Sequence, residues 1–274
     1  MKPPVALSIA GSDPSGGAGI QADLKTFSAL GVYGCAAIAG LTVQNTQGVR
    51  AAQALDPGFV VDQVTAVVDD IAVDATKLGM LTNAGVAGAV ADLLASRRKD
   101  FGTIVLDPVM VATSGDALLA EDAVEVMRTR LMPLADVITP NVPETAVLLD
   151  EAPATSSDEL ADQAQRLVQA GARAVLAKGG HLDGDELTDL LVTPEDTIRL
   201  TSPRIHTRNT HGTGCTLSSA VAACVARSGV LDVATVERAR DYLHRAIVAG
   251  ATWRLSRTPD SGHGPVNHLV EGAS

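Results

Sequence analysis

The run Val5-Ala6-Leu7-Ser8-Ile9-Ala10-Gly11-Ser12-Asp13-Pro14-Ser15-Gly16-Gly17-Ala18-Gly19-Ile20-Gln21-Ala22-Asp23-Leu24-Lys25-Thr26-Phe27-Ser28-Ala29-Leu30-Gly31 decides the fold class. Residues 5–10 are apolar or small and read as a strand, and 11–19 form a glycine-rich loop. Residues 20–30 carry apolar side chains at helical spacing, with Gly31 as the C-terminal stop. Working outward, 35–43 is apolar on both faces, as a buried parallel strand should be. Asp56-Pro57 supplies a cap and first-turn proline to a helix bearing Val60, Val64, Val67 and Ile71. Strands over 76–81, 103–106, 137–139 and 174–177 then alternate with helices over 84–95, 122–131 and 158–171. The segments 187–192 and 197–200 read as a hairpin, and helices over 213–227 and 235–255 close the chain. This rhythm predicts a mostly parallel sheet with helices on both faces, in one domain spanning 1–274.

Composition narrows the function. The 274 residues include 21 Lys and Arg against 32 Asp and Glu, a formal charge of −11 that repels a nucleic-acid backbone. Aromatics are only 2% of the chain, too few for a base-stacking surface. Cys35, Cys215 and Cys224 neither pair evenly nor sit in C-x-x-C spacing, which argues against a disulfide framework or a zinc ribbon. No apolar run approaches a signal peptide or a membrane span, so the expected setting is the cytoplasm, away from membranes.

In sheets of this kind, ligands sit at the carboxyl ends of the strands. That rule selects the loops 11–19, 44–48, 79–83, 107–115, 140–144, 178–181 and 207–215. Gly17-Ala18-Gly19-Ile20-Gln21-Ala22 formally matches a dinucleotide fingerprint. However, no Asp or Glu lies between Asp23 and Asp56 to hold a ribose, so a tight turn is the better reading. A P-loop fails too, because no Lys-Ser/Thr follows at the required spacing.

Thr210-His211-Gly212-Thr213-Gly214-Cys215 precedes an apolar helix. Small residues there let backbone N–H groups converge on an anion, with the helix dipole behind them. The same dipole would lower the Cys215 thiol pKa, although these residues alone favour an ordinary helix start with a small buried cysteine, and the anion reading needs the rest of the pattern. Asp107 and Glu144 stand just past strand ends, where a phosphate-borne Mg²⁺ takes carboxylates and where turn caps are also common. Lys178 ends a strand; it either reaches a phosphate or snorkels to solvent. Asp23 falls on the apolar stripe of its helix. It needs a buried partner there, or it serves the helix dipole.

These features, with Gln44-Asn45-Thr46, Lys77-Leu78-Gly79-Met80-Leu81, Asp107-Pro108-Val109-Met110, Thr139-Pro140-Asn141-Val142-Pro143-Glu144 and Lys178-Gly179-Gly180-His181, run in order along nearly the whole chain. Together they resemble the ribokinase-like superfamily, and within it the hydroxymethylpyrimidine/phosphomethylpyrimidine kinases of thiamine biosynthesis. The resemblance implies a three-layer α/β/α fold, ATP and Mg²⁺, two successive phosphorylations of 4-amino-5-hydroxymethyl-2-methylpyrimidine, and a homodimer. It implies that Gly11, Asp23, Gln44, Met80 and Val109 line the pyrimidine pocket. Asn141, Lys178, Thr210, Gly212, Thr213 and Gly214 would meet ATP, and Asp107 with Glu144 would hold the metal. Lys178 and Cys215 would be catalytic, Cys215 standing where most ribokinase-like kinases carry an Asp base. Some relatives phosphorylate pyridoxal or pyridoxine, which is the alternative activity. Retention of the fold as a vitamin-responsive binding protein would leave Lys178, Asp107, Glu144 and the glycine loop without a use.

Overall fold

In the computed structural model, residues 2–110, 121–258 and 260–270 are described; of the loop expected over 107–115, only the part up to Met110 falls among them. The sheet's backbone is laid down by β1 (Val5–Ser12), β4 (Ala75–Leu78), β5 (Thr103–Leu106), β6 (Val137–Ile138) and β7 (Val175–Ala177), all parallel neighbours in that order. β2 (Tyr33–Asn45) pairs parallel to β1 on the other side. Antiparallel strands extend both edges: β3 (Gly48–Ala54) beyond β2, and the hairpin β8 (Glu186–Val192) and β9 (Thr197–Pro203) beyond β7.

Strand alternation sorts the two cores. Val5, Leu7 and Ile9 of β1, with Ile104 and Leu106 of β5, pack against α2 (Pro57–Val68), α3 (Ala84–Ser96), α5 (Val142–Leu149) and α6 (Ser157–Gln169). Ala6 and Val105, one residue out of phase, face α1 (Gly19–Ala29), α7 (Thr213–Ser228) and α8 (Val233–Gly250). Both faces of the parallel strands are therefore covered, which explains their continuous apolar reading. A short helix α4 (Glu121–Val126), continued by a wide turn over Met127–Leu131, completes the first layer. The α/β/α architecture with a mostly parallel sheet is as expected.

Local signals set the boundaries. Asp56 caps α2 by accepting from Phe59 N–H at 2.9 Å, with Pro57 in the first turn. α8 stops at Gly250 rather than running to 255, and the glycine lets the returning backbone of Val266 and Asn267 pass where a Cβ would collide with it. Among the strands and α-helices of the described residues, two escaped the sequence reading. β3 is half-buried at best, so it lacks an apolar run. α5 is only eight residues long and begins inside the Asn141-Val142-Pro143-Glu144 motif. Among the described residues, no helix is long and apolar enough to cross a membrane.

Candidate active site

The carboxyl ends of β1, β4, β5, β6 and β7 open into one cleft of about 1030 Å³. Gly11, Gln44, Met80 and Val109 line one part of it. A Cβ on Gly11 would overlap the Met80 Cε, so a side chain there would push the methionine out of its present place. Met80 is nearly buried, and its flexible thioether can adapt to a flat ring. Gln44 reaches the cleft from β2, opposite a slip in the β2–β3 ladder that pairs Val43 with Ala51 but Gln44 with Val49. Such bulges re-aim side chains beside binding sites.

Asp107, at the end of β5, is fully buried. Its Oδ1 accepts from Lys178 Nζ at 3.0 Å and from Thr139 Oγ1 at 3.2 Å, and its Oδ2 from Ser218 Oγ at 3.1 Å. Burial pushes this carboxyl up, but the charges of Lys178 and Lys77 and the donors outweigh burial and hold it low. Glu144 and Asn141 form a capping box on α5: Glu144 Oε2 accepts from Asn141 N–H at 2.7 Å, and Asn141 Oδ1 accepts from Glu144 N–H at 2.9 Å. Lys178 Nζ stands 3.6 Å from Glu144 Oε2, so the ammonium bridges the two carboxylates. Burial lifts the Glu144 carboxyl to about 7; Lys178 opposes the shift and Asp107 adds to it.

Thr210, Gly212, Thr213, Gly214 and Cys215 form the facing wall at the start of α7. Gly212 has φ +80°, and a Cβ there would strike the Gly17 carbonyl, so the two glycine loops interlock backbone to backbone. A buried contact fastens them, His211 Nε2 lying 2.7 Å from Asp13 Oδ2. Asp13 also accepts from the N–H groups of Ser15, Gly17 and Ala18. Burial raises its carboxyl, yet the His211 and Ser15 bonds prevail and bring it down to about 2. The expected low-pKa thiol at Cys215 is not found. Burial pushes it up to about 11; Lys77 and the Gly19 N–H pull it down, but the Asp107 and Asp23 charges add to the rise.

The phosphomethylpyrimidine kinase family profile matches residues 13–267. The chain is 48% identical over 270 residues to the hydroxymethylpyrimidine/phosphomethylpyrimidine kinase of Escherichia coli K12, covering 98% of each. The chain belongs to the phosphomethylpyrimidine kinase family. Among solved structures, it resembles the phosphomethylpyrimidine kinase of Clostridium difficile 630, with TM-score 0.77, 38% identity, and coverage of 89% of this chain and 99% of that one. It also resembles a Bacillus subtilis pyridoxal kinase in an ADP complex, with TM-score 0.86, 33% identity, and coverage of 97% and 98%. The fold is accordingly ribokinase-like, and the protein is a kinase.

One expected pocket residue of this phosphomethylpyrimidine kinase family member lies elsewhere. Asp23 does not line the cleft; it is fully buried behind it, for a physical reason that its helical position already hinted at. Its oxygens accept from Lys77 Nζ at 3.0 Å each, from Ser8 Oγ at 2.6 Å and from Ser219 Oγ at 2.6 Å. Lys77, which the sequence reading left without a role, forms part of the cleft floor. Burial works to lower its pKa, but the charges of Asp23 and Asp107 and the bond to Asp23 outweigh burial and keep it charged. The signal was present: a lone lysine in an apolar strand and a lone aspartate on an apolar helix stripe each require a partner.

Proposed function

We propose that this kinase transfers the γ-phosphoryl group of ATP to the hydroxymethyl group of 4-amino-5-hydroxymethyl-2-methylpyrimidine, and then phosphorylates the resulting monophosphate. The observation that carries the reading is the convergence of Gln44, Met80, Lys178 and the Gly212–Cys215 turn on one cleft. Gln44 offers a donor and an acceptor side by side, matching the amino group and adjacent ring nitrogen of the pyrimidine. Gly11, Met80 and Val109 enclose the ring. Asn141, Thr210 and the 212–215 backbone face the donor phosphates. Lys178 neutralises charge on the transferred group, and the thiolate form of Cys215 takes the hydroxyl proton. Transfer through a loose transition state rests mainly on positioning and charge neutralisation, which this arrangement provides.

The residues also fit Mg²⁺. Among the described residues, no cluster of three or more His, Cys, Asp or Glu could cage an ion. Two carboxylates, Asp107 and Glu144, suit a hydrated ion that arrives with the phosphates. Bound there, it would neutralise phosphate charge. We further propose a cytoplasmic homodimer, for which Tyr33, Leu41 and Val43, exposed along β2, offer an apolar contact surface.

The test is ATP consumption by the purified chain against a panel of pyrimidine and vitamin B6 acceptors, with and without Mg²⁺. Turnover on the aminopyrimidine and its monophosphate, dependent on the metal, is expected. Preference for pyridoxal would overturn the substrate assignment, and turnover without divalent metal would remove the metal role of Asp107 and Glu144.

A further inference from the structure

Gln44 stands on an arm that leaves the sheet. The β1–β2 ladder ends with Ser12 opposite Leu41, so residues 42–45 of β2 pair only with β3. β3 is the edge of the sheet and half-buried at best. Thr42 Oγ1 donates to the Ser12 carbonyl at 2.9 Å and fastens the root of the arm. A two-stranded ribbon with no third partner is marginal in water, so the tip beside Gln44 needs a second anchor.

That anchor comes from the far end of the chain. Among the described residues, the hydrogen bonds that residues 45–48 make outside the hairpin go to residues 256, 261 and 263. His263 N–H donates to the Thr46 carbonyl at 2.8 Å, and Gln47 Nε2 donates to the Ser261 carbonyl at 3.0 Å. Gly262 lies between these contacts with φ +74°, and a Cβ on it would collide with the Thr46 carbonyl oxygen. Next along, the Gly264 carbonyl accepts from His211 N–H at 3.0 Å, and a Cβ on Gly264 would collide with the Asn209 side-chain oxygen. Residues 261–264 therefore run from the hairpin tip, two residues past Gln44, to the residue that precedes Gly212.

We propose that Gly262 is a positioning residue of this kinase: it lets residues 261–264 clasp the β2–β3 turn, and the clasp fixes the span from Gln44 to the 212–215 turn. The inference rests on the reading of Gln44 as the group that meets the acceptor ring. Phosphoryl transfer uses that span, because the ring must be held with its hydroxymethyl oxygen aimed at the donor phosphate. The clasp acts through Gln44, so its loss falls on the acceptor rather than on the nucleotide. Local sequence gives no sign of it. Ser261-Gly262-His263-Gly264 reads as a loop, and Gln47 lies 214 residues away from Ser261.

The experiment measures KM for the aminopyrimidine, KM for ATP and kcat in Gly262→Ala and Gln47→Ala, each made alone and together with Gln44→Leu. Gly262→Ala should raise the aminopyrimidine KM by roughly fivefold or more, the worth of about one net hydrogen bond to the ring, with KM for ATP changed less than about twofold. Gln47→Ala removes an exposed side chain and should raise the aminopyrimidine KM by about two- to threefold. Beside Gln44→Leu neither variant should add a further increase, because a residue acting through Gln44 then has nothing to act on. Thermal melting of each variant reports folding separately, and if Gly262→Ala does not fold, Gln47→Ala decides alone. An equal rise in KM for ATP, an increase that persists undiminished beside Gln44→Leu, or no increase in either variant would overturn the clasp while leaving the role of Gln44 standing. An unchanged aminopyrimidine KM in Gln44→Leu alone would overturn both.

Discussion

Lys77 Nζ lies 3.0 Å from each carboxylate oxygen of Asp23, and neither side chain reaches solvent. The pair joins β4 to α1 across 54 residues of sequence, with Ser8 of β1 and Ser219 of α7 completing the carboxylate's bonds. It lies beneath the cleft, so the charge of Lys77 is fixed near Cys215 and Asp107 before any ligand arrives.

A fully enclosed ion pair is costly to break, since one partner is then left charged and unpaired. Lys77→Met should destabilise the fold by about 3–5 kcal/mol in denaturant unfolding. Replacing both members, Lys77→Met with Asp23→Leu, should recover only part of that loss. Full recovery is not expected, because the Ser8 and Ser219 hydroxyls lose their acceptor at about 1–3 kcal/mol for each buried group. A single-variant loss below about 1 kcal/mol would show that water reaches the pair.

That pair also marks where sequence reasoning stops. Alternation, glycine stops and caps were legible because they are local: β1, α1, β5 and the 213–228 helix lie close to their expected bounds. The glycine loops were legible because tight approach excludes side chains, as Gly212 against Gly17 shows. β3 was missed because an exposed edge strand needs no apolar run. Asp23 stood out as a misfit, Lys77 did not, and only the seating of α1 on β1, beside β4, shows that they answer one another. At Cys215 the local argument gave the wrong sign. The helix dipole was visible in sequence, whereas the burial and the two nearby carboxylates that outweigh it were not.

Gln44→Leu should cripple use of the pyrimidine far more than it lowers stability, because the side chain is only half-buried in the protein. The leucine leaves the ring's amino group and nitrogen without partners. A loss of ~1–3 kcal/mol, or roughly 5- to 150-fold in kcat/KM, is expected. Steady-state kinetics on the aminopyrimidine check this, and unchanged values would mean that Gln44 does not touch the ring.

Glu144 should be a liability to stability at neutral pH. Its folded pKa of about 7 lies above the ordinary 4.5, so between these values the unfolded chain gives up the proton first. Stability therefore falls as pH rises through that window, and the loss is complete above it. Glu144→Gln keeps an oxygen for the Asn141 N–H and removes the ionisation. The variant should melt higher than the parent at pH 8, lose that advantage at pH 5, and turn over more slowly. Parallel melting curves for the two proteins from pH 5 to 8 would rule out the shift.

Cys215 gives the sharpest test, because its thiol is held near 11 and is protonated at neutral pH. If the thiolate accepts the proton of the substrate alcohol, its small population should grow about tenfold per pH unit up to that value. Phosphorylation of the alcohol should then climb with pH between 7 and 9, and Cys215→Ser should abolish the climb and lose ~10²-fold or more in turnover. The second acceptor behaves differently. A phosphate monoester has its second pKa near 6, so its oxygen is already ionised at neutral pH and needs no base. Cys215→Ser should damage that step far less, since the serine leaves the backbone donors of 212–215 in place. Cys215→Asp should keep measurable activity on the alcohol, because a carboxylate can also take the proton. Initial rates on the two acceptors across pH separate the possibilities. Equal losses on both, with the alkaline climb intact, would make Cys215 a positioning residue and leave charge neutralisation by Lys178 and the backbone as the source of the rate.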